Sequence, residues 1–336
     1  MHNQVQLFVY FMKVSILGTN GFLSTAIARY CNARGWCLDM YGLSEPESVR
    51  YSHFHMVNLM DSEADMEHLQ DSDMVIYAIG AGIQSNLNEG SSLVYNLNVN
   101  APVNICNRLK AAGFKGVFVT FGSYFELGAT AETRCFSEHD VLTSEADAPN
   151  DYTVSKRMLT RFVSSYKHEF THWHFILPTI YGETENPMRL IPYTINAIRN
   201  GNKLHFTSGN QTRQYIHVSE IPRMIEMAYT RGLASGIYNV EGNETVTVKN
   251  IVEMIHGEYC REVPAGCFGT VERADTGMNY LALDGTRLRN LTGFQATITI
   301  KDAIRDYDTS IIGLTSKRGG SASLIPIMQP QRKEAA

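Results

Sequence analysis

Two short stretches carry side chains able to do chemistry. In "DYTVSKRM", Tyr152 and Lys156 fall about one helical turn apart on the same face. An ammonium beside a phenol lowers the phenol's pKa, and Ser123, which closes the apolar run "VFVTFGS", can hold a substrate oxygen, so the three residues could form a proton relay. Alone, the YxxxK spacing fits a surface tyrosine near a solvated lysine equally well. The second stretch is "VSILGTNGFLS", where an apolar run meets Gly18 and Gly21, and Ser24 stands where a dinucleotide turn has its third glycine. Glycines between a strand and a helix let backbone N–H groups and the positive helix end approach a pyrophosphate. An ordinary strand-turn-helix can have the same pattern. Ser24 is small enough to keep the helix close to its strand. Chain order favours chemistry: the glycine turn comes first, then the strand ending at Ser123, then the Tyr-Lys helix.

Such residues need a scaffold, and the hydrophobic pattern supplies one. Apolar runs "KVSILG", "CLDMYGL", "FHMVNL", "DMVIYAIG", "GVFVTFGS" and "WHFILPTIYG" alternate with helical stretches at 25–33, 94–112 and 153–167. This predicts an α/β fold, a doubly wound parallel sheet of Rossmann type, over residues 12–178. After Gly182 the rhythm changes: "ENPMRLIPYTINAIRNGNKLHF" reads as a helix and a strand, and "QYIHVSEIPRMIEMAY" and "TVTVKNIVEMI" each as a strand leading into a helix. Residues 179–310 are therefore expected to form a smaller, interleaved α/β substrate lobe with segments returning to the first domain. Residues 1–11 read as an extension ahead of Met12, and 311–336 as a loose tail.

Composition narrows the partners. The chain has 336 residues, 44% hydrophobic and 19% charged, enough for one or two cores. Lys plus Arg number 29 against 34 Asp plus Glu, so there is no basic excess for nucleic acid. Cys31, Cys37, Cys106, Cys135, Cys260 and Cys267 lack CxxC spacing, as expected of free thiols in the cytoplasm. The N-terminal apolar patch has neither a basic n-region nor a cleavage site, and no apolar run reaches the roughly 18 residues of a membrane span. His53 with His55, and His172 with His174, have HxH spacing, but no nearby carboxylate or cysteine completes a metal site, so structural roles and no metal are expected. Met224 and Met227 read as core.

Other motifs extend the pattern: Asn58-Leu59 after the third strand, "AIG" at 78–80, Asn98 in "NLNVNAP", "TFGS" at 120–123, "PTIYG" at 178–182 and "GNQTRQYIHV" at 209–218. Over about residues 13–300 the chain resembles the extended short-chain dehydrogenase/reductases acting on nucleotide sugars, the NAD-dependent epimerase/dehydratase family. The resemblance implies NAD or NADP as cofactor and a nucleotide-sugar substrate. It also implies Tyr152 as acid/base, Lys156 on the nicotinamide ribose, Ser123 orienting the sugar carbonyl or hydroxyl, and Arg213 on the nucleotide's phosphates, with Tyr124 and Thr179 facing the sugar. The cofactor would lie along Gly18, Thr19, Asn20, Gly21, Phe22, Leu23, Gly42, Ser44, Ala78, Ile79, Gly80, Asn98 and Pro178, with Asn58 and Leu59 by the adenine. A homodimer through helices 94–112 and 153–167 is implied as well.

Departures from the family pattern narrow the chemistry. Sugar 4,6-dehydratases follow the Ser or Thr with acidic residues, whereas Tyr124 and Phe125 follow Ser123 here, and neither can serve as that acid/base. The usual "RxxNxYG" appears with Ile176 and Thr179 in place of Arg and Asn. An NAD-preferring relative carries an acid about 24 residues past its first glycine, on the ribose 2′-OH; that position is Gly42, and Asp39 comes too early in the strand. Ser44 or Arg50 could approach a 2′-phosphate, Glu45 and Glu47 oppose it, and the choice tilts slightly toward NADPH. The expected activity is reduction of a nucleotide-activated 4-keto sugar. A nucleotide-sugar 4-epimerase with retained NAD is the alternative, and a non-catalytic binding protein on this fold is the third reading.

Overall fold

The first apolar run becomes β1 (Lys13–Leu17), whose last four residues are buried because both faces of the sheet are covered. A computed structural model of the chain describes residues 12–61, 66–83, 89–167, 169–271 and 278–307; the expected extension at 1–11 and tail at 311–336 lie outside the described residues. α1 (Phe22–Arg34) follows β1 and ends at Gly35, which takes the left-handed conformation of a helix stop (φ 70°). Next come β2 (Cys37–Gly42), β3 (His53–Met56) and β4 (Met74–Tyr77). The predicted 94–112 helix forms as α2 (Ser91–Tyr95), a widened turn at Asn96–Asn100 and α3 (Ala101–Ala111) in one continuous run. After β5 (Val117–Ser123) come α4 (Glu138–Thr143), α5 (Asp151–Ser165) and β6 (Thr171–Leu177).

β7 (Thr179–Tyr181), α6 (Leu190–Asn200), β8 (Thr212–His217), α7 (Glu220–Thr230) and β9 (Gly236–Asn239) continue the chain. β10 (Glu244–Thr247), α8 (Val248–Glu258), β11 (Tyr280–Leu281) and α9 (Thr286–Thr292) follow, and residues 300–307 are helical. The first sheet has the order β3-β2-β1-β4-β5-β6-β9, all parallel. Its order reverses between β1 and β4, the crevice where doubly wound sheets take ligands. Ile27, Ala28 and Cys31 of α1 and Ile221, Met224 and Ile225 of α7 cover one face; Ile105, Cys106 and Leu109 of α3 cover the other. In the second sheet β8 pairs antiparallel with β10 and parallel with β7 and β11.

Two expectations change. "KLHF" does not form a strand: Phe206 exchanges hydrogen bonds with the backbone of Cys267, Thr270 and Val271, loop partners too irregular for a ladder. "WHFILPTIYG" is two strands, because the chain leaves the first sheet at Pro178 and joins the second. Among the described residues no helix is long and apolar enough to cross a membrane.

Asn98 ties the widened turn to the loop after β4 and to α5. It is 1% exposed; its Oδ1 accepts from Ala81 N at 2.9 Å, and its Nδ2 donates to Ala81 O and Ser155 Oγ, both at 2.9 Å. Asn98→Ala strands a buried N–H and a buried carbonyl and should cost about 2–6 kcal/mol of stability, at roughly 1–3 kcal/mol for each orphaned group. Urea unfolding measures this, and an unchanged midpoint would remove Asn98 from the framework.

Candidate active site

The turn after β1 is shaped by contact. Gly18 has φ +114°, and a Cβ there would meet Ile79 Cγ1 at 3.0 Å and Ala78 O at 3.3 Å, so the bare backbone lets the ends of β1 and β4 close together. Gly21 caps α1, exchanging 3.1 Å hydrogen bonds with Ser24 Oγ. Phe22 and Leu23 open the helix, and no acidic side chain stands in its first turn to oppose an anion. Asn20 (φ +47°) turns its amide outward, donating to Ser44 Oγ (3.2 Å) and Glu45 O (2.9 Å) and accepting from Glu47 N (2.9 Å). Thus Asn20 and Ser44 meet each other at the rim.

Gly42 ends β2, and a Cβ there would lie 2.6 Å from Thr19 Oγ1. Thr19 thus fills the space that a side chain at position 42 would need. Asp39 is 2% exposed and holds His53 Nδ1 at 2.9 Å and Lys13 Nζ at 3.4 Å. Asn58 accepts from Met60 N, and Leu59 and Ile79 each pack against the core. Beyond Ala78 and Ile79, Gly80 turns its open face to Asn98 and Lys156: a Cβ would be 3.7 Å from Asn98 Oδ1 and 4.0 Å from Lys156 Nζ.

α5 begins at Asn150, whose side chain accepts from Thr153 N and sets the helix phase. That phase points Tyr152 and Lys156 at the end of β5. Lys156 is 6% exposed, donates to Phe121 O at 2.9 Å, and lies with Nζ 5.8 Å from the Tyr152 ring centre. Burial pulls its pKa down to about 8, against the upward pull of Glu126. Burial pushes the Tyr152 phenol up to about 12, with Ser123 and Arg189 pulling down and Glu126 and Tyr124 pushing up. This corrects the expectation of a phenol lowered by the ammonium: desolvation outweighs every charge around it, and the ammonium is aimed at a carbonyl.

The second sheet closes the site. Beyond Pro178, Thr179 hydrogen-bonds the Tyr124 hydroxyl. Arg213 donates to Thr212 O at 2.8 Å and acts electrostatically on Tyr124 and Tyr215. Glu220 does not pair with Arg213; it holds Arg223 and accepts from Thr297 and Ile298. Sequence reasoning missed two residues. Arg189, at the start of α6, pairs with buried Glu185 at 3.1 Å and lowers the pKa of Tyr124, Tyr152 and Tyr215; no local signal announces it. Glu126, fully buried, accepts from Ser123 N at 2.8 Å, and its S-x-x-E capping spacing was a readable sign. His172 and His174 lie in the core on Thr120 and Thr160, and no group of three or more His, Cys, Asp or Glu that could hold a metal occurs among the described residues.

The model of the NAD dependent epimerase/dehydratase family matches residues 14–240. A dTDP-glucose 4,6-dehydratase of Streptomyces griseus is 28% identical over 128 residues, 37% of this chain and only 38% of that protein. A CDP-abequose synthase of Yersinia pseudotuberculosis is 23% identical over 316 residues, 90% of this chain and 99% of that protein. Among solved structures, the Bordetella bronchiseptica enzyme WbmG in complex with NAD and UDP superposes with a TM-score of 0.74 at 15% identity, covering 91% of this chain and 96% of that one.

Gly122, just before Ser123, has no room for a methyl group: a Cβ would lie 2.5 Å from Glu126 Oε1 and Ile176 Cδ1 and 2.7 Å from His174 Nε2. Gly122→Ala should cost about 1–3 kcal/mol by overpacking. Thermal and denaturant unfolding check it, and wild-type stability would mean that the wall behind Ser123 yields freely.

Proposed function

This chain belongs to the NAD dependent epimerase/dehydratase family, and from that premise we propose that it is an NAD(P)-dependent oxidoreductase reducing a nucleotide-activated 4-keto sugar, with Tyr152 as proton donor. The observation that carries the reading is the convergence of Ser123, at the end of β5, on the buried Tyr152 phenol, with Lys156 buried alongside and the glycine turn at the neighbouring switch point. The bare backbone at Gly18 and the acid-free first turn of α1 suit the pyrophosphate of a dinucleotide, held along Thr19 to Leu23. Gly80, Asn98 and Lys156 would meet its nicotinamide half, and Gly42, Ser44, Asn58 and Leu59 its adenosine half. When bound, the nicotinamide exchanges a hydride with the sugar carbon.

Ser123 then orients the carbonyl oxygen, and Tyr152, a phenol that burial keeps protonated, passes its proton to that oxygen as negative charge develops. Lys156 steadies the phenolate left behind. Elimination chemistry is disfavoured: Tyr124 and Phe125 carry no carboxylate, and the next acid, Glu126, caps Ser123 N from within the protein interior. Arg213 would grip the nucleotide's phosphates, with Tyr124 and Thr179 against the sugar. A homodimer through the helices at 94–112 and 153–167, the second exposing Met158, belongs to the same reading.

Tyr152→Phe should lower turnover of a 4-keto nucleotide sugar by roughly 10²–10⁴, the usual worth of general acid catalysis, while cofactor affinity stays within a few fold. Stopped-flow oxidation of NADH or NADPH measures it, and a near wild-type rate would exclude the assignment. Lys156 is protonated below its value of about 8, so kcat/KM should hold below that pH and fall as pH rises through it. A flat profile to pH above 10 would contradict a catalytic ammonium. Arg213→Ala should weaken a bare nucleoside diphosphate by about ten- to a hundredfold, the loss of one charge-assisted contact. Calorimetric titration decides, and unchanged affinity would take Arg213 out of the site.

A further inference from the structure

Where β2 ends, Thr19 and Gly42 meet with no room between them. A Cβ on Gly42 would lie 2.6 Å from Thr19 Oγ1, 3.0 Å from its Cγ2 and 3.3 Å from its Cβ. Turning the threonine does not relieve this. Its Cβ carries two heavy atoms over three staggered positions, and two of those positions face Gly42, so every rotamer leaves at least one of them filled. The two backbones are held as well. Gly18 N donates to Tyr41 O at 2.8 Å, Val57 N donates to Gly42 O at 2.9 Å, and Gly42 is in register with Met56 of β3. A side chain at position 42 therefore requires that Thr19 be made smaller.

Resting on the proposed reading of a dinucleotide along this turn, we propose that Thr19 sets the choice of cofactor: it fills the place of an acid at the end of β2, so that the 2′-position of the adenosine ribose meets hydroxyl groups and a 2′-phosphate is accepted. An acid at this point of a dinucleotide fold takes the ribose 2′-OH and repels a phosphate there. A carboxylate can only accept hydrogen bonds, whereas the hydroxyls of Thr19 and Ser44 can also donate to a phosphate oxygen. The neighbouring loop agrees with this. Asn20 ties residues 44–47 to the glycine turn through Ser44 Oγ, Glu45 O and Glu47 N. The carboxylate of Glu45 is taken by the hydroxyl of Tyr51, and Glu47 is exposed. Arg29 of α1 brings Nη2 to 3.5 Å from Ser48 Oγ, which adds a cation to the same rim. The dinucleotide selected is NADPH, and because the acid is kept out by contact, position 42 cannot reverse that choice on its own.

Four full-length proteins test this: the wild type, Gly42→Asp, Thr19→Gly and the two changes combined. Urea unfolding without ligand reads the contact. Gly42→Asp should lower the midpoint, and adding Thr19→Gly should return most of the loss, so that the pair together costs less than Gly42→Asp alone. Calorimetric titration with NADH and with NADPH reads the choice. The wild type should bind NADPH at least as tightly as NADH, and the combined variant should favour NADH by about ten- to a hundredfold, the worth of one charge-assisted contact. A wild type that prefers NADH tenfold or more would overturn the proposal, as would a Gly42→Asp protein that keeps wild-type stability and turns to NADH unaided. Should Gly42→Asp fail to fold, recovery of the fold in the combined variant is the expected result; should neither fold, the wild-type titrations decide. A wild type that binds neither dinucleotide would bring down the cofactor reading itself, and this proposal with it, while the unfolding cycle would still show whether Thr19 closes position 42.

Discussion

Lys156 puts an ammonium at the C-terminal end of the sheet with 6% of its surface exposed, and the surrounding architecture accommodates that charge. Desolvating an ammonium costs several kcal/mol unless polar groups replace its water. Here the Phe121 carbonyl takes one of its hydrogens, which requires β5 to run on past Phe121 as far as Ser123. α5 must start at Asn150 for Tyr152 and Lys156 to share the face that looks at that strand. The single helical turn at Tyr124–Leu127 brings Glu126 back under Ser123.

The same end of the sheet is roofed by the second lobe because the chain changes sheets at Pro178. β6 delivers Leu177 to the first sheet, and two residues later Thr179 is in register with Tyr215 of β8. The crossover is so short that Tyr124, from the first lobe, and Thr179, from the second, share a hydrogen bond. Gln214 stitches the lobe to the segment after β11, donating to Leu283 O and accepting from Leu283 N, both at 3.1 Å. A substrate spanning this seam would touch residues fixed to both sheets.

How much of this was legible follows from how local each cause is. The parallel sheet, the YxxxK helix and the glycine turn are written in periodicity and spacing, and they form where expected. Gly42 was readable as a missing acid but not as a contact, since Thr19 is distant in sequence and only folding brings its hydroxyl to 2.6 Å from where a Cβ would be. The raised phenol of Tyr152 was missed for a similar reason: spacing announces a neighbouring lysine, whereas desolvation depends on the whole enclosure. "KLHF" has the composition of a strand, but a strand exists only where a partner edge is free, and its neighbours are loops.

Arg189 and Arg213 illustrate what the fold adds to residue type. Both guanidiniums act on Tyr124 and Tyr215, so by position either could meet a diphosphate. Arg189 is paired with Glu185, and that carboxylate also accepts from the hydroxyl of buried Tyr307, so this arginine is part of a braced, internally neutralised pair. A phosphate there would have to compete with a carboxylate already in place. Arg213 donates instead to the neutral carbonyl of Thr212, a hydrogen bond that leaves its formal charge uncompensated. The two positions thus separate into one that shapes the wall near Tyr152 and one suited to an incoming anion, a division set by Glu185 and Tyr307 rather than by the arginines themselves.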